Sequence, residues 1–349
     1  YDYLKGLGFS QIDVTGCPSL ALNGPGLPLR EKQPLTPESK LCFTGSVSNP
    51  PDFKKFAVRC TERFPNTYFV PQFIDDLRLM YLGIPHPDTA DSRVLHPTNL
   101  DHPVFVEDKA RFFINLPSMF AFNREMDFNY GTRIHGAIGN ILCGVPSLLF
   151  PTDARIRELA EYHNIPAIPA SAVTPDTDLA VLYDQTDFRQ VNNGHAERFW
   201  HLIDFLNENG IKTIYDDRTG TPARSLYDEK TAATSYAQPV HSMLVRPPEE
   251  IARRVDTAVR LQRKEIEDDS RLATQLRDSQ RKVTQLQERN KKQDAQIQAL
   301  KEERKALKAE LKATKKPLRR LAWYQRTSTF GIGLARLKKK LRRLLGKEK

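Results

Sequence analysis

Arg133 and His135, two residues apart in the stretch Gly131-Thr132-Arg133-Ile134-His135-Gly136, hold the most chemistry in this sequence. A guanidinium presents a planar fork suited to bidentate contact with phosphate or carboxylate. An imidazole donates and accepts protons near neutral pH. Gly136 lets a ligand or another stretch of backbone approach closely, because it has no Cβ. If these residues open a helix, the unpaired N–H groups and positive end of that helix add to an anion site. The residue types alone define an anion site with an acid/base group. They also admit a structural reading, in which the Arg caps a neighbouring strand and the His is satisfied in the core.

The surrounding pattern says what must position them. Strands are expected at Lys40–Phe43, Thr67–Val70, Ala110–Asn115, Asp127–Tyr130 and Ser147–Phe150, with another starting at Ala167–Pro169. Helices are expected at Asp52–Phe64, Asp75–Leu82, Leu116–Glu125, Ile134–Cys143, Ala154–Asn164 and Ala196–Asn209. Strands alternating with helices imply βαβ crossovers and a parallel sheet covered on both faces. Ligands of such sheets bind beyond the carboxyl ends of the strands, where Arg133 and His135 fall. Residues 1–40, dense in Pro and Gly, read as a connector, and 41–210 as the α/β domain. Residues 211–248 are polar and turn-rich and read as a linker.

The stretch Asp127–Pro166 resembles the C-terminal signature of the polysaccharide pyruvyl transferase family. The matching residues are Asp127, Gly131, Arg133, His135, Gly136, Gly144-Val145-Pro146, Asp153, Arg155, Glu158 and Leu159. Gly16-Cys17-Pro18-Ser19 is similar to the region where that family's chain crosses between domains. The resemblance spans about residues 1–210. It implies a Rossmann-like half of a glycosyltransferase-B-like fold, and transfer of a pyruvyl group from phosphoenolpyruvate to two hydroxyls of a sugar. The acceptor would be a glycan or lipid-linked saccharide of the cell surface. His135 would transfer the proton and Arg133 would bind the donor anion. Gly131, Gly136, Asp153 and Arg155 would border the substrates. Phosphoenolpyruvate would be a substrate, with no cofactor and no metal. The chain begins on Tyr1 in what reads as mid-domain sequence, so an N-terminal half is expected to be missing.

Composition bounds the rest. The 349 residues carry a net charge of +10, with 13 Lys/Arg and one acid in 315–349, so the remaining residues sum to −2. An electrostatic partner therefore belongs to the tail. Residues 249–316 contain no Gly or Pro and follow a heptad. With Leu276 at a, eight of the thirteen a and d positions are aliphatic and Asn290 sits at a, which suits a parallel homodimeric coiled coil. The other reading is a single solvated helix. In 317–349, Leu334, Leu337, Leu341, Leu344 and Leu345 form one stripe among Lys and Arg, as in helices that lie on anionic membranes. Trp323 and Tyr324 would sit at headgroup depth. A specific nucleic-acid partner is not expected.

Cys17, Cys42, Cys60 and Cys143 lack paired spacing, which excludes a disulfide scaffold and a zinc site. With no apolar run long enough to span a membrane, a cytoplasmic protein peripheral to the inner face of the plasma membrane is expected. His86, His96, His102 and His163 share no ligand spacing, and Asp75-Asp76 reads as a helix start. Two other functions remain open: a nucleotide-sugar glycosyltransferase of the same fold, and a non-catalytic adaptor at a membrane surface.

Overall fold

The structure, a computed structural model, describes residues 1–46, 48–86, 97–216, 218, 225–320 and 330–344, with side chains described up to 310 and again over 336–343 at the C-terminal end. The chain divides into two compact units, Tyr1–Gln262 and Arg263–Lys349.

The first unit is built on four parallel strands, β1 (Leu41–Thr44), β2 (Thr67–Phe69), β3 (Phe128–Gly131) and β4 (Ser147–Leu149), in the order β2-β1-β3-β4. Leu41 pairs with both Thr67 and Phe128, and Gly131 with both Thr44 and Leu149. All residues of β1, β3 and β4 are buried, as expected for a sheet covered on both faces. The chain leaves β1 toward β2 on one side and returns to β3 on the other, so the two strands diverge at a topological switch point.

Helices α1 (Asp2–Gly6), α2 (Pro51–Arg63), α3 (Ile74–Leu82), α4 (Pro103–Val106), α5 (Leu116–Asn123), α6 (Ile134–Leu142), α7 (Ala154–Tyr162), α8 (Leu179–Gln185), α9 (His195–Glu208) and α10 (Leu226–Thr231) complete this unit. Alternate strand residues feed opposite faces. Leu41, Phe43, Phe128, Tyr130 and Leu148 join Phe53, Phe56 and Ala57 of α2 and Tyr183 of α8 in one core. Leu149 joins Ile134, Ile138 and Ile141 of α6 and Ile156 of α7 in another. The first core is aromatic: the Phe53 ring lies 5.6 Å from Phe56 and 5.1 Å from Phe150.

The helices and strands expected between 40 and 164 lie within a few residues of their observed ends, with one correction. Residues 110–115 form no strand. Phe69 N–H donates to the Lys109 carbonyl and Arg111 N–H to the Phe69 carbonyl, whereas Phe112 exchanges both its bonds with Val240. The segment's backbone groups are thus divided between two neighbours, which leaves bridges at Ala110 and Phe112 rather than a ladder. Ala167 likewise makes a single bridge to Leu149, because Pro166 and Pro169 beside it lack donors.

The segments read as connectors are parts of the fold. Leu20, in a 3-10 turn at Pro18–Asn23, is buried against α6. Arg30 donates to the carbonyls of Gly144, Arg124 and Met126, and Lys32 to those of Tyr183, Asp184 and Thr186. Residues 17–32 therefore strap the sheet's helices together. Within 211–248, Val240 pairs with Phe112, Ser242 and Met243 are buried, and His241 Nδ1 lies 2.8 Å from Asp108. The same unit takes in the first turns of α11 (Pro248–Arg320), where Arg254 stacks 4.1 Å from the Tyr81 ring.

In the second unit α11 continues as one unbroken helix to Arg320, followed by α12 (Phe330–Leu344). The aliphatic a and d side chains from Leu272 to Leu307 are between 47% and 64% exposed, so the heptad seam is bare in a single chain. In α12, Leu337 is exposed and Leu341 half-buried. Trp323, Tyr324 and Leu345 lie outside the described residues, as do the side chains of Leu334 and Leu344.

Phe53→Ala removes a fully buried ring that touches three others. It is expected to lower stability by about 3–5 kcal/mol, measured as the urea midpoint of the full chain by near-UV circular dichroism. A loss below about 1 kcal/mol would mean that the aromatic cluster is not the main core.

Candidate functional site

The site begins with a contact between strand ends. The carbonyl of Thr44, last residue of β1, accepts from the N–H groups of both Thr132 and Arg133, at 2.9 and 3.2 Å. A Cβ on Gly131 would lie 2.3 Å from that carbonyl oxygen, and one on Gly136 would lie 2.6 Å from the Thr44 side chain. Real Cβ atoms do not come this close, so both glycines are required by packing. The neighbour that Gly136 admits is Thr44, and Gly131, likewise buried, serves the same junction.

This junction aims the start of α6 past the carboxyl ends of β1 and β3. Arg133 is the residue preceding the helix, and no side chain caps its first turn. The N–H groups of a first turn lack intrahelical partners, so they and the helix dipole favour an anion here. Arg133 is half-buried, with its guanidinium 4.3 Å above the Phe73 ring. Its Nε is buried without a hydrogen-bond partner. Burial pushes its pKa down, Asp76 and Asp153 draw it up, and Arg155 pushes it down again. The cation is therefore held by stacking and by carboxylates that act on it only through their charge.

Asp76 is the closest to a buried counter-charge. It is 3% exposed, and the N–H of Phe73 donates to it at 3.3 Å. Burial raises its carboxyl to about 6, against the lowering effect of that N–H, of His86 and of Arg133. Asp75 and Asp76 occupy the first turn of α3, as expected of a helix start.

His135 is exposed and stands between two cavities. One, of about 450 Å³, is apolar and is walled by Val70, Phe112, Phe113, Met119, Phe120 and Ile138. The other, of about 580 Å³, is the more polar of the two and includes Asp13, Thr15, Arg155, Glu158 and Tyr162. The His135 Nε2 atom lies 3.8 Å from the Sγ of Cys17, which borders the polar cavity. A ligand reaching His135 can thus place an apolar part on one side and a charged part on the other.

Asp153 and Arg155 sit at the start of α7, and both are exposed. Asp153 Oδ1 accepts from the Ile156 N–H at 2.8 Å, so this carboxylate caps the helix. Arg155 lines the polar cavity. Of the residues expected at the site, His135 and Arg155 share a cavity wall and Arg133 is within electrostatic reach of Arg155, whereas Gly131 and Gly136 lie beneath them. Sequence reading missed Cys17, Phe73 and Asp76 as neighbours of the site. Only Gly16-Cys17-Pro18-Ser19 carried a signal. Among the described residues, no group of three or more His, Cys, Asp or Glu side chains is placed to hold a metal ion.

No protein-family model matches the chain, and no curated protein matches it. Two solved structures align with part of it. The glycotransferase of kitacinnamycin aligns at 18% identity and a TM-score of 0.27, over 51% of this chain and 45% of that one. The glycosyltransferase SnogD from Streptomyces nogalater aligns at 16% identity and a TM-score of 0.26, over 48% and 42%. The chain thus spans less than half the length of either. At these scores the likeness carries no argument about the reaction, and the α/β architecture rests on the strand order and register given above.

Asp76→Asn tests the buried charge. A carboxyl whose folded pKa is raised makes the native state bind more protons than the unfolded chain, so its stability contribution falls as pH rises between about 4 and 6. The amide keeps an acceptor for Phe73 N–H without the charge. The variant is expected to gain on the order of 1–3 kcal/mol over wild type at pH 8 and little at pH 4. Equal gains at both pH values in thermal denaturation would show that Asp76 is not held against its charge.

Proposed function

We propose that this chain is a transferase that moves a pyruvyl group from phosphoenolpyruvate onto a sugar of a glycan or lipid-linked saccharide. The observation that supports it is the placing of Arg133 and His135 together at an α6 N-terminus without a side-chain cap, beyond the ends of β1 and β3. Phosphoenolpyruvate carries a phosphate and a carboxylate, which match the Arg133 fork, the α6 dipole and Arg155. Its methylene carbon must gain a proton, and its C2 must bond to two sugar oxygens as the C–O bond to phosphate breaks. The two hydroxyl protons balance the new methyl proton and the proton that leaves with phosphate. In this reading His135 delivers the methyl proton and Arg133 steadies the departing phosphate.

The C-terminal unit supplies assembly and address in the same reading. The exposed a and d side chains of α11 pair with those of a second copy, and Asn290 at an a position favours a parallel dimer in register. Among the described residues no helix is long and apolar enough to cross a membrane. The cationic α12 would instead lie on an anionic surface where lipid-linked saccharides are presented.

Two measurements test these statements. The purified full-length protein is expected to release phosphate from phosphoenolpyruvate when given cell-envelope glycan extract. His135→Ala should slow it by about 10²–10⁴-fold, and Arg133→Lys, which loses the fork, should raise the KM for phosphoenolpyruvate by roughly 10-fold or more. Tight binding of a nucleoside diphosphate without any phosphate release would instead favour a nucleotide-sugar enzyme. For the helix, Leu286→Lys combined with Leu300→Lys is expected to convert a dimer to a monomer in sedimentation velocity. A wild-type chain that sediments as a monomer at micromolar concentration would rule out the pairing.

A further inference from the structure

The reaction just described needs two groups of opposite duty, an acid for the donor's methylene carbon and a base for a sugar hydroxyl. His135 is only one. The thiol of Cys17 lies 3.8 Å from His135 Nε2, 118 residues away in sequence, and borders the same polar cavity. Its position is held from behind. The Cys17 N–H donates to His163 Nε2 at 2.8 Å, and Cys17 begins the 3-10 turn at Pro18–Asn23 that packs on α6. Gly16 has φ +69°, and a Cβ there would lie 2.4 Å from His163 Nε2 and 2.5 Å from the Tyr162 ring. The residue before the thiol must be glycine for this seat to form.

We propose that Cys17 and His135 form the proton-exchanging pair of this site, His135 as acid toward the donor and Cys17 as base toward the sugar hydroxyl. The proposal rests on the pyruvyl-transfer reading of the same site. The pair holds one mobile proton in two placements, thiol with imidazole or thiolate with imidazolium. From the second placement, imidazolium Nε2–H protonates the methylene carbon. The hydroxyl oxygen bonds to C2, and its proton goes to the thiolate sulfur. The pair is left as thiol and imidazole, and one proton hop across the 3.8 Å contact restores the starting state. The second hydroxyl's proton leaves with phosphate, so nothing further is consumed.

The surroundings suit a thiolate. The hydrogen bond with His135 brings the thiol down to about 7, against burial, with Ser19 and the charge of His135 adding to the lowering. On the α7 side, burial lowers His163 to about 4, so it faces Cys17 as a neutral acceptor. Arg155, Glu158 and Tyr162 of α7 and Asp13 of the preceding segment complete the polar wall. The other thiols differ: burial pushes Cys42 up to about 12, Cys60 higher, and Cys143 upward. A thiol reagent therefore distinguishes Cys17 from the rest.

The experiment is iodoacetamide alkylation of the native full-length protein from pH 5 to 10, mapped by peptide mass spectrometry, alongside phosphate release. Cys17 should react alone, half-maximally near pH 7, and His135→Ala should move that midpoint toward the ordinary thiol value of about 8.5. Cys17→Ala should lower kcat about 10-fold or more and remove one limb of the pH profile, while the KM for phosphoenolpyruvate stays within about 2-fold. Cys17→Ser, which keeps the fold but not the acidity, should fall between the two. A Cys17 midpoint near 8.5 in wild type, or one that His135→Ala leaves in place, overturns the pair. A His135-dependent low midpoint with full turnover in Cys17→Ala overturns the proton transfer and leaves the pyruvyl reading standing. Wild-type protein that releases no phosphate overturns that reading and the transfers built on it, and the alkylation profile still decides whether the pair exists.

Discussion

Thr44 sits where two strands and a helix meet, and its carbonyl and side chain leave no room for a Cβ at Gly131 or Gly136. By accepting from both Thr132 and Arg133, the Thr44 carbonyl fixes the direction in which the chain leaves β3. The first turn of α6 then has to begin over the junction of β1 and β3, with Arg133 just before it and His135 within it. A larger residue at either glycine would tilt this helix away, and the cavities on both sides of His135 would change with it. The two parallel ladders that meet at the junction make it stiff, since β1 and β3 are each paired on both sides.

Around that junction the charges are arranged by depth. Asp153 spends its carboxylate on the N–H of Ile156, at the surface. Asp76 lies buried and holds its proton more tightly than a solvated carboxylate does, because desolvation outweighs the help of Arg133 and His86. Arg133 is flanked by an aromatic face and by carboxylates that act on it only through their charge, so among the described residues no carboxylate pairs with it directly. A fully ionised partner in direct contact would satisfy the guanidinium and compete with a ligand for it. The Arg133 Nε is buried without a hydrogen-bond partner.

The residues before β1 do more than connect. Arg30 and Lys32 gather carbonyls from helix ends and turns scattered over the α/β unit, and the 3-10 turn that follows Cys17 presses Leu20 into α6. The strap therefore positions a thiol at the site and ties down the helix that carries His135. On the far side of β2, residues 109–111 take the backbone groups of Phe69 and Val240 takes those of Phe112, which covers strand groups that would otherwise be open to pairing. In the second unit the described aliphatic a and d side chains of α11 are exposed.

Apart from α4 and residues 110–115, the alternation of strands and helices from Leu41 to Tyr162 was legible in the sequence, because most elements there have their own periodicity and are followed closely by Gly or Pro. The placing of Arg133 and His135 at one strand-to-helix turn was legible for the same reason. The continuity of α11 over 249–316 follows from a run free of Gly and Pro. Other features leave no local trace. Cys17 meets His135 across 118 residues, Phe73 meets Arg133 across 60, and Phe112 divides its segment by pairing with Val240. The roles of Gly131 and Gly136 changed once Thr44 was seen beside them. Backbone geometry and turn chemistry act over a few residues and can be read one segment at a time. Contacts between distant segments are decided only when whole elements pack, because their energy depends on what every other element has already buried.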